Sequence, residues 1–342
     1  MSCSKILSGD LPELVYEIIK NFQNDYSTLH SCVLVNRLWC RLAIPLLWEN
    51  PFSITTGNYN FIEVYLYNLD DYLKTKINDY QIINYLLPSN TLFNYPSFIR
   101  YLNICNVTFS IEKWLEANDK TSNSAIDLVH NIILTSVSEF KKLINMSIVK
   151  LFIENEVNLH TFKIEINNKH FDYFIYNDIL EIILQNPNFI HNIRNLNLSV
   201  VKNHCKMHYQ DDLILRNLGQ ILPSKLESLS LVLYMIKTND FEVFLKNSQD
   251  TFFKKLSINN LVQGYSDDID ILPYIKKYIM KKKRVKYLAI KNTSSTFSIS
   301  KGKDVDLSNL KDEVNEFKLY NIKVLKYVNI CTDIYRFVNE ID

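Results

Sequence analysis

The chain has 342 residues, of which 47% are hydrophobic and 13% aromatic, and its formal net charge is +1 at pH 7. This composition is typical of a folded protein, and the length allows either two or three domains or a small module followed by a repeat array. Because the charge is balanced, no global field favours nucleic acid or an anionic membrane. We therefore expect neither of them as a partner.

The cysteines and glycines exclude several further classes of protein. Six cysteines occur without a CxxC pair, as expected of reduced thiols that pack as small hydrophobes. No apolar span reaches membrane length, so we expect a soluble protein of the cytoplasm or nucleus. The five glycines are scattered, which leaves no Gly-rich loop for phosphate.

Residues 11–48 predict three short helices. Asp10 is a good N-cap for the first helix, whose two apolar stripes are Leu14-Ile18-Phe22 and Val15-Ile19-Phe22. The second helix carries Leu29 and Val33. Asn36 caps the third, which Pro45 is expected to end. A module this short cannot hide Trp39, Trp48 and its many aliphatic residues, so some of them must contact the rest of the chain or another protein.

The order and spacing of Leu11-Pro12, Ile18-Ile19, Val35-Asn36-Arg37-x-Trp39 and Trp48 resemble the F-box. The resemblance covers about 40 residues. It implies docking on the Skp-type adaptor of a cullin-RING ubiquitin ligase of the SCF type. The adaptor-binding residues that it implies are Leu11, Pro12, Leu14, Ile18, Ile19, Leu34, Val35 and Trp39. The alternative is that residues 11–48 form an ordinary helical cap on the following domain.

Residues 51–98 predict a folded connector with a helix between Phe61 and Leu73. After it, the phrase apolar-x-x-apolar-x-apolar returns seven times. The instances are Ile99-Leu102-Ile104, Leu159-Phe162-Ile164, Ile193-Leu196-Leu198, Leu226-Leu229-Leu231, Phe253-Leu256-Ile258, Val285-Leu288-Ile290 and Val314-Phe317-Leu319. The first spacing, 60 (159 − 99), is about twice the others, as if one strand between 105 and 158 were lost. Self-similarity at this period predicts stacked units.

Amphipathic helical stretches lie between these phrases, for example Ile175 to Ile183 and Ile271 to Ile279. A strand, a loop and a helix cannot bury their apolar faces alone, but stacked units can. The predicted fold is α/β, with three N-terminal helices in residues 1–50, the helical connector, and a solenoid in residues 99–342 that has a parallel inner sheet and outer helices.

This pattern resembles a leucine-rich repeat domain of the long-unit form, a combination common behind F-boxes. The family's Asn or Cys three residues after the last strand Leu is mostly replaced here by Val107, Val201, Leu261 and Ile322, and only Asn167 fits. We therefore expect degenerate repeats, and a non-solenoid α/β domain is the alternative.

Because side chains alternate along strands, the residues between the repeated apolar positions should line the inner wall of the sheet. The candidate target-binding residues are Tyr101, Asn103, Lys163, Asn195, Asn197, Ser228, Ser230, Lys255, Ser257, Tyr287, Lys318 and Tyr320. A polar wall of mixed sign favours a protein partner over an apolar ligand.

Little in the sequence indicates catalysis. His204 and His208 would share a helix face, but no third metal ligand is evident nearby, so we expect no metal, no cofactor and no enzyme activity. The basic run from Lys281 to Arg284 could be a nuclear import signal, although such runs commonly form solvated helix ends.

The function predicted from these features is that of an F-box substrate receptor that binds an adaptor and a protein target. The alternative is a repeat scaffold for protein–protein interaction without any link to ubiquitin ligases.

We predict that residues 1–50 expressed alone fold poorly, because three helices of this length bury too little apolar surface. Circular dichroism should show weak helicity for this fragment. A cooperative thermal melt of the isolated fragment would contradict the expectation that it needs further contacts.

Overall fold

The computed structural model describes residues 11–53, 59–79, 91–118, 127–167, 173–201, 210–234, 236–262, 270–294 and 304–330. The protein is an α/β protein with N-terminal helices and an eight-stranded, mainly parallel sheet. It divides into two compact units, one of residues 1–102 and 106–159 and the other of residues 103–105 and 160–342. This division lies near residue 160, whereas the sequence placed the start of the repeats at residue 99.

The helices before residue 160 are α1 (Pro12–Lys20), α2 (Tyr26–Val33), α3 (Arg37–Leu47), α4 (Phe61–Tyr67), α5 (Asp71–Asp79), α6 (Ile104–Asn118) and α7 (Asp127–Glu154). Those of the second unit are α8 (Tyr173–Gln185), α9 (Gln210–Ile221), α10 (Thr238–Asn247), α11 (Leu272–Ile275), which continues as a π-helical turn (Lys276–Met280), and α12 (Lys311–Leu319). The strands are β1 (Tyr101–Asn103), β2 (Thr161–Asn167), β3 (Asn195–Val201), β4 (Ser228–Tyr234), β5 (Phe253–Val262), β6 (Val285–Ser294), β7 (Val305–Asp306) and β8 (Lys323–Val324).

Two side-chain caps define where the N-terminal helices begin. Asp25 accepts the Thr28 N–H at the start of α2, and the Thr28 hydroxyl, which also donates to it, holds the pKa of Asp25 below its ordinary value. Asn36 accepts from the N–H groups of Leu38 and Trp39, which confirms it as the cap of α3. The predicted cap Asp10 lies outside the described residues.

The prediction that Pro45 ends the third helix is wrong, because α3 continues to Leu47. Proline lacks one N–H group, so it removes a single hydrogen bond near the end of a helix. The N–H of Trp48 still donates to the Ile44 carbonyl and closes the last turn.

Aromatic side chains build the core that follows α3. The ring of Trp48 lies 4.3 Å from that of Tyr95 and 5.6 Å from that of Tyr65. Phe52 stacks on Tyr65 and meets Phe152 of α7 edge-on. The described residues of the connector therefore include two helices, α4 and α5, where the sequence predicted one.

The sheet runs in the order β1-β2-β3-β4-β5-β6-β7, and β8 also pairs with β6. The pairings from β2 to β6 are parallel, as is β8 with β6, whereas β7 is antiparallel. The repeated aliphatic positions are in register across it. For example, Leu196, Leu229, Leu256 and Leu288 form one row.

Helices cover the sheet face that this row occupies. A cavity of about 30 Å³ lies between that face and two helices, and its lining is entirely apolar. Phe162 and Leu196 line it from the strands, Leu180 and Ile183 from α8, and Leu218 from α9. We call this side the helix-covered face and the other side the opposite face.

The same pair of backbone hydrogen bonds recurs at the amino ends of the strands. Two successive N–H groups there donate to the carbonyl of the residue directly before the neighbouring strand. The instances are Arg194 and Asn195 on His160, and Glu227 and Ser228 on Arg194. Within the first unit, Arg100 and Tyr101 donate in the same way to Glu49. The same pair of hydrogen bonds therefore occurs first at a residue that closely follows α3.

A buried asparagine of β5 holds the chain that follows β4 through its side chain. Asn260 is fully buried, and its side-chain oxygen accepts the N–H of Ile236, which follows β4. The leucine-rich-repeat pattern expects an Asn or Cys at position 261, which is Leu261 here, and Asn260 lies one residue before it. The sequence pattern missed Asn260 because of this shift of one residue.

The seventh predicted strand, at Val314-Phe317-Leu319, is wrong, because these residues lie in α12. The helix ends where Asn321 adopts a φ of 62° and Ile322 donates to the Phe317 carbonyl, a C-terminal turn that asparagine accommodates. Between 105 and 158 the described residues form α6 and α7 and contain no strand.

Gly219 marks a close approach between α9 and α10. A Cβ atom at this position would lie 2.7 Å from the Phe244 carbonyl oxygen and 3.0 Å from Asn247 Cβ. Although alanine favours helices over glycine, we predict that Gly219→Ala lowers the free energy of unfolding by about 1–3 kcal/mol, because the helices must separate.

Urea unfolding followed by circular dichroism measures this change. Gln220→Ala, which alters an exposed side chain of the same helix, is the matched control and should change the stability by less than about 0.5 kcal/mol. A Gly219→Ala variant more stable than wild type would show that the two helices are not tightly apposed.

Candidate protein-interaction sites

The three N-terminal helices share a small core of their own. Its buried residues are Val15, Ile19, Leu29, Cys32, Ala43 and Leu46. Burial raises the pKa of the Cys32 thiol, so the thiol stays protonated at neutral pH and packs as an apolar group. We call α1 to α3 the N-terminal module.

Several apolar residues of this module remain exposed to solvent. Leu34 and Val35, in the turn between α2 and α3, are 75% and 49% exposed. On α1, Leu14 is 40% exposed, Tyr16 is 37% exposed, and Pro12 is exposed as well. Leu34 therefore buries little surface within the chain, and Val35, Leu14 and Tyr16 keep between about a third and a half of theirs accessible.

The other predicted adaptor-binding residues are more enclosed. Ile19 is fully buried in the module core, so it is not available to a partner, because the Val15-Ile19 stripe of α1 faces inward. Leu11, Ile18 and Trp39 are half-buried. Trp39 packs against the same core, and its indole N–H is buried without a hydrogen-bond partner among the described residues.

The predicted target-binding residues of β1 to β6 differ in exposure. Tyr101, Asn103, Lys163, Asn195, Asn197, Lys255 and Tyr287 are partly exposed. Ser228, Ser230 and Ser257 are only 7%, 2% and 2% exposed, which places them in the floor of the opposite face rather than on an exposed surface. Ser228 is in register with the longer Asn195 and Lys255, whereas Ser230 and Ser257 are in register with each other.

Polar contacts link neighbouring side chains on this face. Lys163 pairs with Glu165 at 2.7 Å, and the Asn103 amide donates to the same carboxylate at 3.5 Å. Farther toward the amino end of the strands, the Asn195 amide donates to the Thr161 hydroxyl. The face therefore carries both signs of charge, and its amides and hydroxyls can bond a polar partner.

Lys318 and Tyr320 do not belong to this face as strand residues. Lys318 lies in the last turn of α12 and Tyr320 directly follows that helix. The reason is the wrong assignment of Val314-Phe317-Leu319 as a strand, since their spacing also fits one side of a helix.

The chain itself occupies the opposite face at β6. Ala289, Tyr327 and Ile330 form a buried cluster against which Tyr287 and Leu325 pack. The roles of Tyr327 and Ile330 were not predicted from the sequence. Their spacing of three residues is the only signal, and it is too short to separate a packed turn from a surface one.

One residue of the basic run from Lys281 to Arg284 is part of the protein core. Lys281, Lys282 and Lys283 are exposed, but Arg284 is only 5% exposed. The Arg284 guanidinium donates to the carbonyl oxygens of Thr251 and Leu245, at 3.1 and 3.2 Å, and to that of Ser248. It thereby satisfies carbonyl groups at the end of α10.

Neither a metal site nor a membrane span is found in the described parts of the chain. No group of three or more His, Cys, Asp or Glu residues there could hold a metal ion, and His204 and His208 lie outside them. No described helix has the length and apolar character needed to cross a membrane.

Comparisons of the chain with protein-family models, with curated proteins and with solved structures find no match.

Arg284→Met should lower the free energy of unfolding by about 2–4 kcal/mol, because it removes the buried guanidinium that donates to the Thr251, Leu245 and Ser248 carbonyl groups. Denaturant titration measures the loss. Lys282→Met changes a neighbouring exposed cation and should leave the midpoint unchanged. Equal effects of the two variants would contradict a structural role that is specific to Arg284.

Proposed function

We propose that the protein is an F-box-type substrate receptor of a cullin-RING ubiquitin ligase. The N-terminal module binds a Skp-type adaptor, and the strand–helix array binds a protein target. The chain has no catalytic role of its own. Its contribution is to hold target lysines near a charged carrier enzyme, so that the transfer of ubiquitin becomes effectively intramolecular.

The exposure of Leu34 and Val35 is the observation that carries this proposal. Both lie at positions that the F-box resemblance assigns to the adaptor, and neither is used by the core of the module. The exposed Pro12 and Leu14 on α1 add to the apolar surface of the same module. A surface of this chemistry favours an apolar protein interface.

We further propose that the array is a degenerate leucine-rich-repeat solenoid. The parallel strands in register, the recurring pair of backbone hydrogen bonds at their amino ends, and the helices between them support this assignment. The buried Asn260 accepts a backbone N–H group from the loop after β4, the role that the leucine-rich-repeat pattern gives to an Asn or Cys in each repeat. We also propose that the protein acts in the cytoplasm or nucleus.

A double variant of the exposed turn tests the adaptor contact. Leu34→Ser/Val35→Ser should weaken binding of the full-length chain to a purified Skp-type adaptor by at least tenfold, about 1.4 kcal/mol, because it removes two apolar anchors. Isothermal titration calorimetry measures the affinity. The melting temperature should hardly change, since both side chains are exposed.

Leu92→Ser/Leu319→Ser is the matched control, because it removes two leucines that are 94% and 81% exposed outside the module. This control should bind the adaptor like the wild type. Absence of binding by the wild type would reject the receptor proposal and leave the repeat scaffold without a ligase link. Equal losses in both double variants would show that the module is not the docking site.

A further inference from the structure

Two turns lie side by side at the amino ends of β5 and β6. The first ends at Phe252, directly before β5, and the second consists of residues 281–284, directly before β6. Arg284 connects the two turns, because its guanidinium donates to the Thr251 carbonyl and its backbone carbonyl accepts the Phe253 N–H at 2.8 Å. Phe252 stands between these two contacts and therefore lies beside the second turn.

The second turn carries positive charge that the described part of the chain does not neutralise. Lys281, Lys282 and Lys283 are exposed, and none of them forms an ion pair with a described residue. The backbone of the turn is held in place, since the Lys283 N–H donates to the Met280 carbonyl at 3.0 Å. The three ammonium groups thus form a local positive charge in a protein whose formal net charge is only +1.

An exposed aromatic ring adjoins this charge. Phe252 is 56% exposed, whereas Phe253 is fully buried. Lys286, the second residue of β6, is exposed as well. The exposed Asp250 lies close enough to act on Arg284: burial lowers the pKa of Arg284 to about 10, and the Asp250 carboxylate opposes this shift. We call Lys281 to Lys283, Lys286 and Phe252 the basic–aromatic patch.

The chemistry of this patch favours carboxylates over nucleic acid. The Arg284 guanidinium is turned into the core, so the patch lacks the planar fork that binds a phosphate through two parallel hydrogen bonds. At the same edge of the sheet, the Glu227 carboxylate lies 3.6 Å from Arg194 and 3.8 Å from Lys254. This negative charge interrupts the positive surface that a nucleic-acid backbone would follow.

We propose that the basic–aromatic patch binds an acidic segment of a partner protein, a stretch rich in Asp and Glu that contains one apolar side chain. The lysine ammonium groups pair with the carboxylates, and the apolar side chain packs on the Phe252 ring. Complementary charge of this kind speeds association and selects the partner. That the partner is the target for ubiquitin transfer rests on the proposed function.

The test uses the full-length chain and a fluorescein-labelled synthetic peptide of Glu and Gly residues around one central Leu. Fluorescence anisotropy measures the affinity in about 0.1 M salt, which screens charges more than about 10 Å apart. Lys281→Gln/Lys282→Gln/Lys283→Gln should weaken binding about tenfold, because three exposed charge pairs are lost.

Lys311→Gln/Lys318→Gln/Lys326→Gln is the matched control, because it removes the same charge from three exposed lysines of the second unit. It should bind the peptide like the wild type.

A second peptide, with Ser in place of the Leu, tests the aromatic contact. Phe252→Ser should weaken binding of the Leu peptide about fivefold, because an apolar contact is lost, and should leave binding of the Ser peptide unchanged. Asp250→Asn should tighten binding of both peptides, since it removes a repulsive charge beside the patch. Misfolding cannot produce such a gain.

Four results would overturn the proposal: no binding of the Leu peptide by the wild type, equal losses in the two triple variants, wild-type affinities of Phe252→Ser for both peptides, or tighter binding of a thymidine oligonucleotide or of phosphatidylserine–phosphatidylcholine vesicles than of the peptide. The experiment needs no adaptor, so its failure is distinguishable from failure of the receptor proposal.

Discussion

The parallel register of β2 to β6 is the constraint on which the second unit depends. One row across these strands consists of Phe162, Leu196, Leu229, Leu256 and Leu288, each 5% exposed or less. A slip of one residue in any strand would exchange its two faces and bring polar side chains under the helices. The register therefore determines both where the helices pack and which residues remain for the opposite face.

The close packing of neighbouring units adds a second constraint. Gly219 allows α9 to approach the Phe244 carbonyl of α10, and Arg284 satisfies the carbonyl groups where α10 ends. These contacts join α10 to α9 on one side and to Arg284, directly before β6, on the other. Neighbouring strand–helix pairs that share such contacts can stack as long as the aliphatic row is kept.

The sequence allowed the strands from β2 to β6 to be predicted, because the same spacing of apolar residues recurs at each of them. It failed where one spacing fits two structures, as at Val314 and Phe317, which lie on a helix that ends at an asparagine turn. β8 has two residues and therefore no periodicity to detect.

The candidate sites were predictable in outline only. Both apolar stripes of α1 were recognised, but local periodicity does not determine which stripe becomes core. The F-box resemblance placed Ile19 at a partner surface, whereas it lies in the core. The occupation of Ala289 by Tyr327 and Ile330 joins residues about 40 positions apart. A pattern within one short window contains no information about such a contact.

Exposed apolar side chains are common on protein surfaces, so the meaning of Leu34 and Val35 depends on what fixes their position. Their N–H groups donate to the Ser31 and Cys32 carbonyls, and the Asn36 cap begins α3 directly after them. The backbone of this turn is thus held by hydrogen bonds that need no particular side chain at either position. The fold therefore does not require an aliphatic pair at this place, which supports the proposed contact with an adaptor.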